Sequence, residues 1–418
     1  MLKPLLDRIE QGQEELFDLL GRLIRINSEN FGSHGNEKAC ALFIRDYCRA
    51  LGLETELYSP LEAPGMTSHP DYWPGRNLEE RYNVTARWTG IDNSDELMLA
   101  AHSDTVPIGD PSAWSFDPLG GEQRDGKILG RGACDDKYAI ATTLFLLKQL
   151  KALGFQPRSN LLFTAYSDEE FGGSNGALAA CLKYPSRRLV NLDCKNFEIW
   201  HSAAGGQVAN LMLTSDTPLD SCGSMARALP AVLDAIDAFG ARRKAELAAN
   251  PFYAGTNIPD TALRYMTVQA GNEGNDLNQA RVQFVFYTDK TKEAIEIEYD
   301  QMVDDLRRQL ADQGIDQVRL QPVTRFFHYI YTPKDNPSIT AMAKAARTVS
   351  GRELKVCGSC LSDLSIFLKY GSPLAYGFGI GRDFDAVGGA HQTDEYIETA
   401  DLLEYAQTVG TYLVKTMS

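Results

Sequence analysis

The 418-residue sequence contains no run of about 18 apolar residues, the length a membrane-spanning helix needs. Positive charge is in deficit. Against 56 Asp and Glu stand 41 Lys and Arg, a formal net charge of −15, which argues against a surface for nucleic acid or anionic lipid. The eight cysteines are scattered, and only Cys357 and Cys360 form a C-x-x-C pair, where a zinc ribbon needs two. They read as reduced thiols. No G-x-S-x-G elbow is read after a strand, against a serine hydrolase, and neither phosphate-loop pattern occurs, against a nucleotide-binding enzyme. There is no internal repeat and no low-complexity tract. Met1–Asn30 sets Asp7, Arg8, Glu10, Glu14, Glu15 and Asp18 among leucines at helical spacing. That predicts an amphipathic helix in place of the unbroken apolar core of a signal peptide. A cytoplasmic protein is expected, with no membrane or nucleic-acid partner.

What is present is the composition of a soluble globular protein, 44% hydrophobic and 23% charged, at a length that suits two domains or one domain carrying an insertion. A helix is predicted at 37–52, a strand at Glu54–Tyr58, a proline-rich loop at 61–77 and an alternating strand at 83–89. Leu97–His102, Asn160–Tyr166 and Leu189–Leu192 are short apolar runs of the kind buried on both faces of a sheet. Tyr138–Leu153 has strong helical periodicity. Strand, helix, strand, helix is the rhythm of an α/β fold, an open and mostly parallel sheet flanked by helices. From about Ser202 the character changes. An edge strand at Val208–Leu213, a long alanine-rich helix at Ala228–Ala249, an alternating strand at Arg281–Tyr287 and a helix at Ile295–Gly314 predict a smaller α+β insertion with a βαββ-like pattern. Helices at Pro337–Ser350, Ser362–Lys369 and Thr399–Lys415, with an apolar run at Pro373–Phe378, return to α/β character. The expected domains are 1–201 and 328–418 for the catalytic part and 202–327 for the insertion.

Polar clusters close the apolar strands: His102-Ser103-Asp104, Asp168-Glu169-Glu170 and Asp193. Asp135-Asp136 opens a helix, and His391 lies near the C-terminus. In open α/β sheets ligands bind beyond the carboxyl ends of the strands, so these groups can converge. Singly each has a plainer reading. A lone histidine is a buried structural residue, paired carboxylates are solvated charge, and Asp135-Asp136 caps its helix. Together they supply the imidazole nitrogens and carboxylate oxygens that suit zinc, manganese or cobalt, in the number a two-ion site needs.

The runs His102-Ser103-Asp104-Thr105-Val106-Pro107, Gly130-Arg131-Gly132-Ala133-Cys134-Asp135-Asp136-Lys137, Ser167-Asp168-Glu169-Glu170 with Gly172-Gly173, and Gly389-Ala390-His391 with Glu395-Tyr396 resemble, in order, four motifs of one family. It is the di-metal metallopeptidase family of aminoacylase, acetylornithine deacetylase, carnosine dipeptidase and glutamate carboxypeptidase. The resemblance implies two divalent metal ions, zinc foremost, with manganese or cobalt as alternatives. Asp135 would bridge them, His102 and Asp193 would complete one site, and Glu170 and His391 the other. Asp104 would hold the second nitrogen of His102, and Glu169 would be the general base for an attacking water. It implies as well a cis peptide at Asp135–Asp136 and a lid domain that dimerises or forms a higher homo-oligomer.

The insertion departs from that pattern. Asp220 stands where the family's lid histidine is expected, and Tyr287 where an arginine is expected. Arg382, His328 and His201 are the candidate substrate-binding residues, with Arg264 and Arg325 as further substitutes; each also reads as a surface or packing residue. Cys134 lies beside the site without a base to activate it. The expected function is hydrolysis of a C–N bond in a small molecule, as an amidohydrolase, deacylase or dipeptidase. The alternatives are an aminohydrolase releasing ammonia from an activated aromatic amine, of the 5-nitroanthranilate type, and a non-catalytic metal-binding protein on the same fold. Glu169 argues against the last, since a structural metal site has no use for a base beside its ligands.

Overall fold

The computed structural model describes residues 1–271, 276–333 and 335–418. The chain forms two compact units. One comprises Met1–His201, Tyr331–Val356 and Ile366–Ser418; the other comprises Ser202–Ile330 and Cys357–Ser365. The sequence places Cys357–Ser365 with the returning catalytic segment, but it packs with the second unit. There the Gly358 N–H donates to Phe252 O at 3.0 Å, and a side chain at Gly358 would collide with the Tyr253 ring.

The large sheet, centred in the first unit, includes the strands β1 (Glu54–Tyr58), β2 (Asn83–Trp88), β3 (Asp92–His102), β4 (Ser159–Tyr166), β5 (Arg188–Asn191), β6 (Glu198–Ala203) and β7 (Tyr376–Gly379), with the short strands Ile330–Tyr331 and Val356–Ser359 beside β6. Their order is β1–β2–β4–β3–β5–β7–β6. The central strands β4, β3, β5 and β7 run parallel, and antiparallel strands flank them. Every residue of β4 is buried, as are Leu97–Ala101 of β3. Apolar side chains on both faces of these strands force helices onto both sides of the sheet. The helix Lys137–Ala152 is buried on nearly all sides because it packs on β3 and is itself covered by the helices Gln13–Ile24 and Thr399–Met417. Among the described residues, no helix is long and apolar enough to cross a membrane.

The N-terminal amphipathic stretch is two helices, Leu2–Gln11 and Gln13–Ile24. The predicted helix at Ser362–Lys369 is a short turn, Leu364–Ile366, running into a π-helical turn at Phe367–Gly371.

The second unit has a four-stranded antiparallel sheet in the order Leu263–Ala270, Gln279–Thr288, Gly205–Thr214, Gln317–Pro322. The strand expected at the edge around Val208–Leu213 is therefore an inner strand with partners on both sides. Alternate residues of Gln279–Thr288 are buried, and this face packs on the helices Gly223–Ala249 and Lys292–Gln309 through Phe239, Phe284, Phe286, Val232 and Leu306.

Candidate metal centre

The site forms where the parallel strands end. His102 is the last residue of β3 and is fully buried. Asp168, Glu169 and Glu170 follow β4, and Asp193 lies two residues past β5. A small antiparallel sheet brings in the rest. Lys127–Leu129 pairs with Tyr396–Glu398, which sets the loop leading to Asp135 beside the loop carrying His391.

The Asp135 carboxylate sits between two imidazoles. His102 Nε2 is 2.9 Å from Asp135 Oδ1, and His391 Nε2 is 3.2 Å from Oδ2. His391 Nε2 is also 3.0 Å from Glu170 Oε2, while Glu170 Oε1 accepts the Val106 N–H at 3.1 Å. The donor atoms of His102, Asp135 and Glu170 lie within 4.8 Å of one another. The His391 side chain keeps 37% of its surface in solvent, which leaves the cluster open on one side. The Asp135–Asp136 peptide is cis, as the resemblance implies.

The electrostatics fit a cation. Burial, then the charge of Asp135, pushes the Asp193 carboxyl up to about 7. Burial disfavours charge on His102, but the nearby Asp104 and Asp135 carboxylates outweigh it and raise its pKa well above the ordinary value. Burial acts the same way on His391, where Glu170 and Asp135 outweigh it. In the metal-free protein the carboxylates thus hold protons on both rings. Metal ligation needs neutral imidazoles, so uptake releases those protons and affinity falls as pH falls. Calorimetric zinc titrations in buffers of different ionisation enthalpy should report proton release; an apparent enthalpy independent of buffer would contradict this account of the cluster.

Asp104 stands beside the second nitrogen of His102, with its main chain nearer than its carboxylate. His102 Nδ1 lies 2.9 Å from the Asp104 main-chain carbonyl and 3.7 Å from the nearer carboxylate oxygen. A carbonyl only accepts, so Nδ1 carries a hydrogen; Nε2 faces Asp135 with the proton that metal uptake would displace, and its lone pair then becomes available for ligation. The buried Asp104 carboxylate accepts the N–H groups of Glu169 and Glu170, each at 3.0 Å, and Asn30 Nδ2 at 2.8 Å. It fixes the turn that presents the two glutamates.

Sequence reasoning missed the arginines behind that turn. Arg81 is fully buried; it donates through Nε to Glu37 at 2.7 Å and pairs with Asp168 at 2.9 Å. Arg76 donates to the carbonyls of Gly32, Glu170 and Phe171. Buried Arg131 pairs with buried Glu395, whose other oxygen accepts the Cys134 N–H at 2.9 Å, one residue before Asp135. No local pattern marks Arg76 or Arg81, and the motif runs that contain Arg131 and Glu395 assign them no role. Arg81→Met should lower stability by about 3–5 kcal/mol, because two buried carboxylates lose their shared cation; denaturant unfolding checks it, and a loss below about 1 kcal/mol would mean the ion pairs contribute little.

Gly172-Gly173-Ser174-Asn175-Gly176 does spell G-x-S-x-G, contrary to the sequence reading. Ser174 precedes the helix Asn175–Lys183 with φ of 53°, but it is fully buried. The glycines answer to packing, since a Cβ at Gly173 would strike the Asp168 carboxylate and one at Gly176 the Ser167 carbonyl. Asp168, Phe171 and His391 also have left-handed backbones, with φ of 61°, 58° and 63°. Cys134 is buried, and burial followed by Glu395 and Asp135 raises its thiol, which suits no nucleophile.

Of the candidate substrate-binding residues, Arg382 belongs to the first unit; its guanidinium lies 4.1 Å from the Tyr396 ring centroid, and Nη2 donates to Val387 O at 3.3 Å. His201 is buried in β6, and its carbonyl accepts the Thr332 N–H. His328 belongs to the second unit, where its main chain exchanges two hydrogen bonds with the Ser365 hydroxyl. Also there, Arg264 donates to the Tyr287 hydroxyl, while Arg325 is buried.

The family model described as Peptidase family M20/M25/M40 matches residues 98–415. A succinyl-diaminopimelate desuccinylase of Rhodospirillum centenum is 27% identical over 390 residues, covering 87% of this chain and 91% of that protein. An uncharacterised metallohydrolase of Methanocaldococcus jannaschii is 24% identical over 437 residues, covering 94% and 97%. Among solved structures, human carnosine dipeptidase 1 superposes with a TM-score of 0.73 at 15% identity, covering 99% of both chains.

Proposed function

The chain belongs to peptidase family M20/M25/M40 and is a metal-dependent hydrolase acting on C–N bonds, and on that premise we propose that it is a dinuclear amidohydrolase that deacylates an N-acyl amino acid or cleaves a dipeptide. One observation carries the reading: two imidazoles address opposite oxygens of a single carboxylate, the arrangement a bridging ligand needs. Asp135 would bridge, His102 and Asp193 would serve one ion, and Glu170 and His391 the other, with zinc foremost. When bound, the two ions supply a water acidic enough to attack at neutral pH and stabilise the oxyanion that develops.

The protein's own groups do the rest. The Asp104 main-chain carbonyl fixes the His102 tautomer, and its carboxylate holds the Glu169 main chain. Glu169 accepts the water proton on a carboxylate oxygen as the water oxygen bonds to the carbonyl carbon. It returns that proton to the nitrogen as the C–N bond breaks. A carboxylic acid and an amine result, which at neutral pH share their protons as a carboxylate and an ammonium group. Arg382, the guanidinium in the loop that carries His391, would hold a substrate carboxylate.

Asp220 and Tyr287, in place of the lid histidine and arginine, keep an ammonia-releasing aromatic aminohydrolase as the second reading. The test is product analysis across acyl-amino acids, dipeptides and aminobenzoates with the metal-loaded protein. Free amino acid is expected; ammonia from an aminobenzoate would overturn the deacylase reading. The proposal extends to a homodimer through the second unit, whose edge strand Leu263–Ala270 exposes Met266 and Val268. Light scattering should give twice the chain mass, and a monomer would remove this part.

A further inference from the structure

Two aromatic rings stand in solvent beside the cluster. Phe171 is 48% exposed and Phe31 41%. Single exposed aromatics are ordinary, but these two are held in place. Phe171 directly follows Glu170, and its backbone, φ 58° and ψ 25°, occupies the left-handed region that a bulky residue enters only under constraint. Arg76 supplies the constraint. Its buried guanidinium donates to the Phe171 carbonyl and to that of Gly32, next to Phe31. Asn30, on the other side of Phe31, donates to the Glu170 carbonyl at 3.2 Å. The Phe31 ring stacks on His34 with centroids 5.0 Å apart and planes 18° from parallel. One guanidinium therefore fixes both ring-bearing segments against the turn that carries Glu169 and Glu170. The Arg76 bond holds the backbone of Phe171 while its ring stays in solvent, where a ligand can reach it.

We propose that Phe171 and Phe31 form an apolar platform at the Glu170 edge of the metal cluster, which receives an aromatic or bulky apolar group of the substrate. The platform selects among substrates and takes no part in bond breaking. It rests on the proposed metal site, where the probes anchor, and on the amidohydrolase reading only for what the bound molecule becomes afterwards.

The test uses the full-length, zinc-loaded protein and two hydroxamates that bind metal alike, phenylacetohydroxamate and acetohydroxamate, with affinities read by calorimetry. The wild-type protein should prefer the phenyl compound about tenfold, and Phe171→Asn, whose side chain tolerates the left-handed backbone, should cut that ratio at least about threefold, in the range of one aromatic contact. Phe31→Ser should shift the ratio the same way, and Phe171→Leu should keep most of it. Zinc content should stay at the wild-type level in all three. No phenyl preference in the wild type, a ratio unmoved by Phe171→Asn, or an equal weakening of both hydroxamates would overturn the platform. If no amide is hydrolysed while the ratio behaves as stated, the amidohydrolase reading fails and the platform stands.

Discussion

Glu169→Gln should lower kcat by about a hundredfold to ten-thousandfold, the range general acid–base catalysis supplies, while the metal content stays at the wild-type level. The substitution is nearly isosteric, and the turn does not depend on the charge that is lost. The Glu169 N–H is held by the Asp104 carboxylate, and neighbouring Glu170 is held by the same carboxylate and by Arg76. An amide can still accept a hydrogen bond from water but cannot take its proton. Steady-state kinetics with elemental analysis reads both halves of the prediction. A near-normal kcat would remove Glu169 from the base position, and lost metal would show that it acts as a ligand.

Asp135→Ala should act on the metals themselves. Its two oxygens face two different imidazoles, so one substitution removes a ligand from both proposed ions. Metal affinity should fall by more than the roughly 10–100-fold typical of losing a residue that merely supports a ligand, and turnover should fall with it. The metal-free protein should also lose stability, because His102 and His391 are held charged in part by this carboxylate. Equilibrium dialysis against zinc and thermal unfolding of the metal-free variant are the readouts. Wild-type zinc binding would show that Asp135 bridges nothing.

Much of this is legible in the amino-acid sequence. Leu97–His102, Asn160–Tyr166 and Leu189–Leu192 are apolar enough to be read as interior strands, and the structure places β3, β4 and β5 there. The polar residues at their ends mark the rim of a parallel sheet by chain direction alone. Sheet order was not legible, because local alternation in Gly205–Thr214 does not say whether one partner or two will pair with it. Leu263–Ala270 escaped notice because most of it is exposed or half-buried, so its pattern lacks a clean apolar face. That the Asp104 main-chain carbonyl lies nearer to His102 than the carboxylate does was not legible, because sequence names a side chain and not the carbonyl beside it. Arg76 and Arg81 were invisible because their partners, Glu37, Asp168 and the Glu170 turn, become neighbours only in the folded chain.

The most direct measurement is anomalous diffraction from crystals of the zinc-loaded protein. The account predicts two peaks about 3.5–4 Å apart on either side of the Asp135 carboxylate, one within bonding distance of His102 and Asp193, the other of Glu170 and His391. A single peak, or two peaks that do not share Asp135, would contradict it.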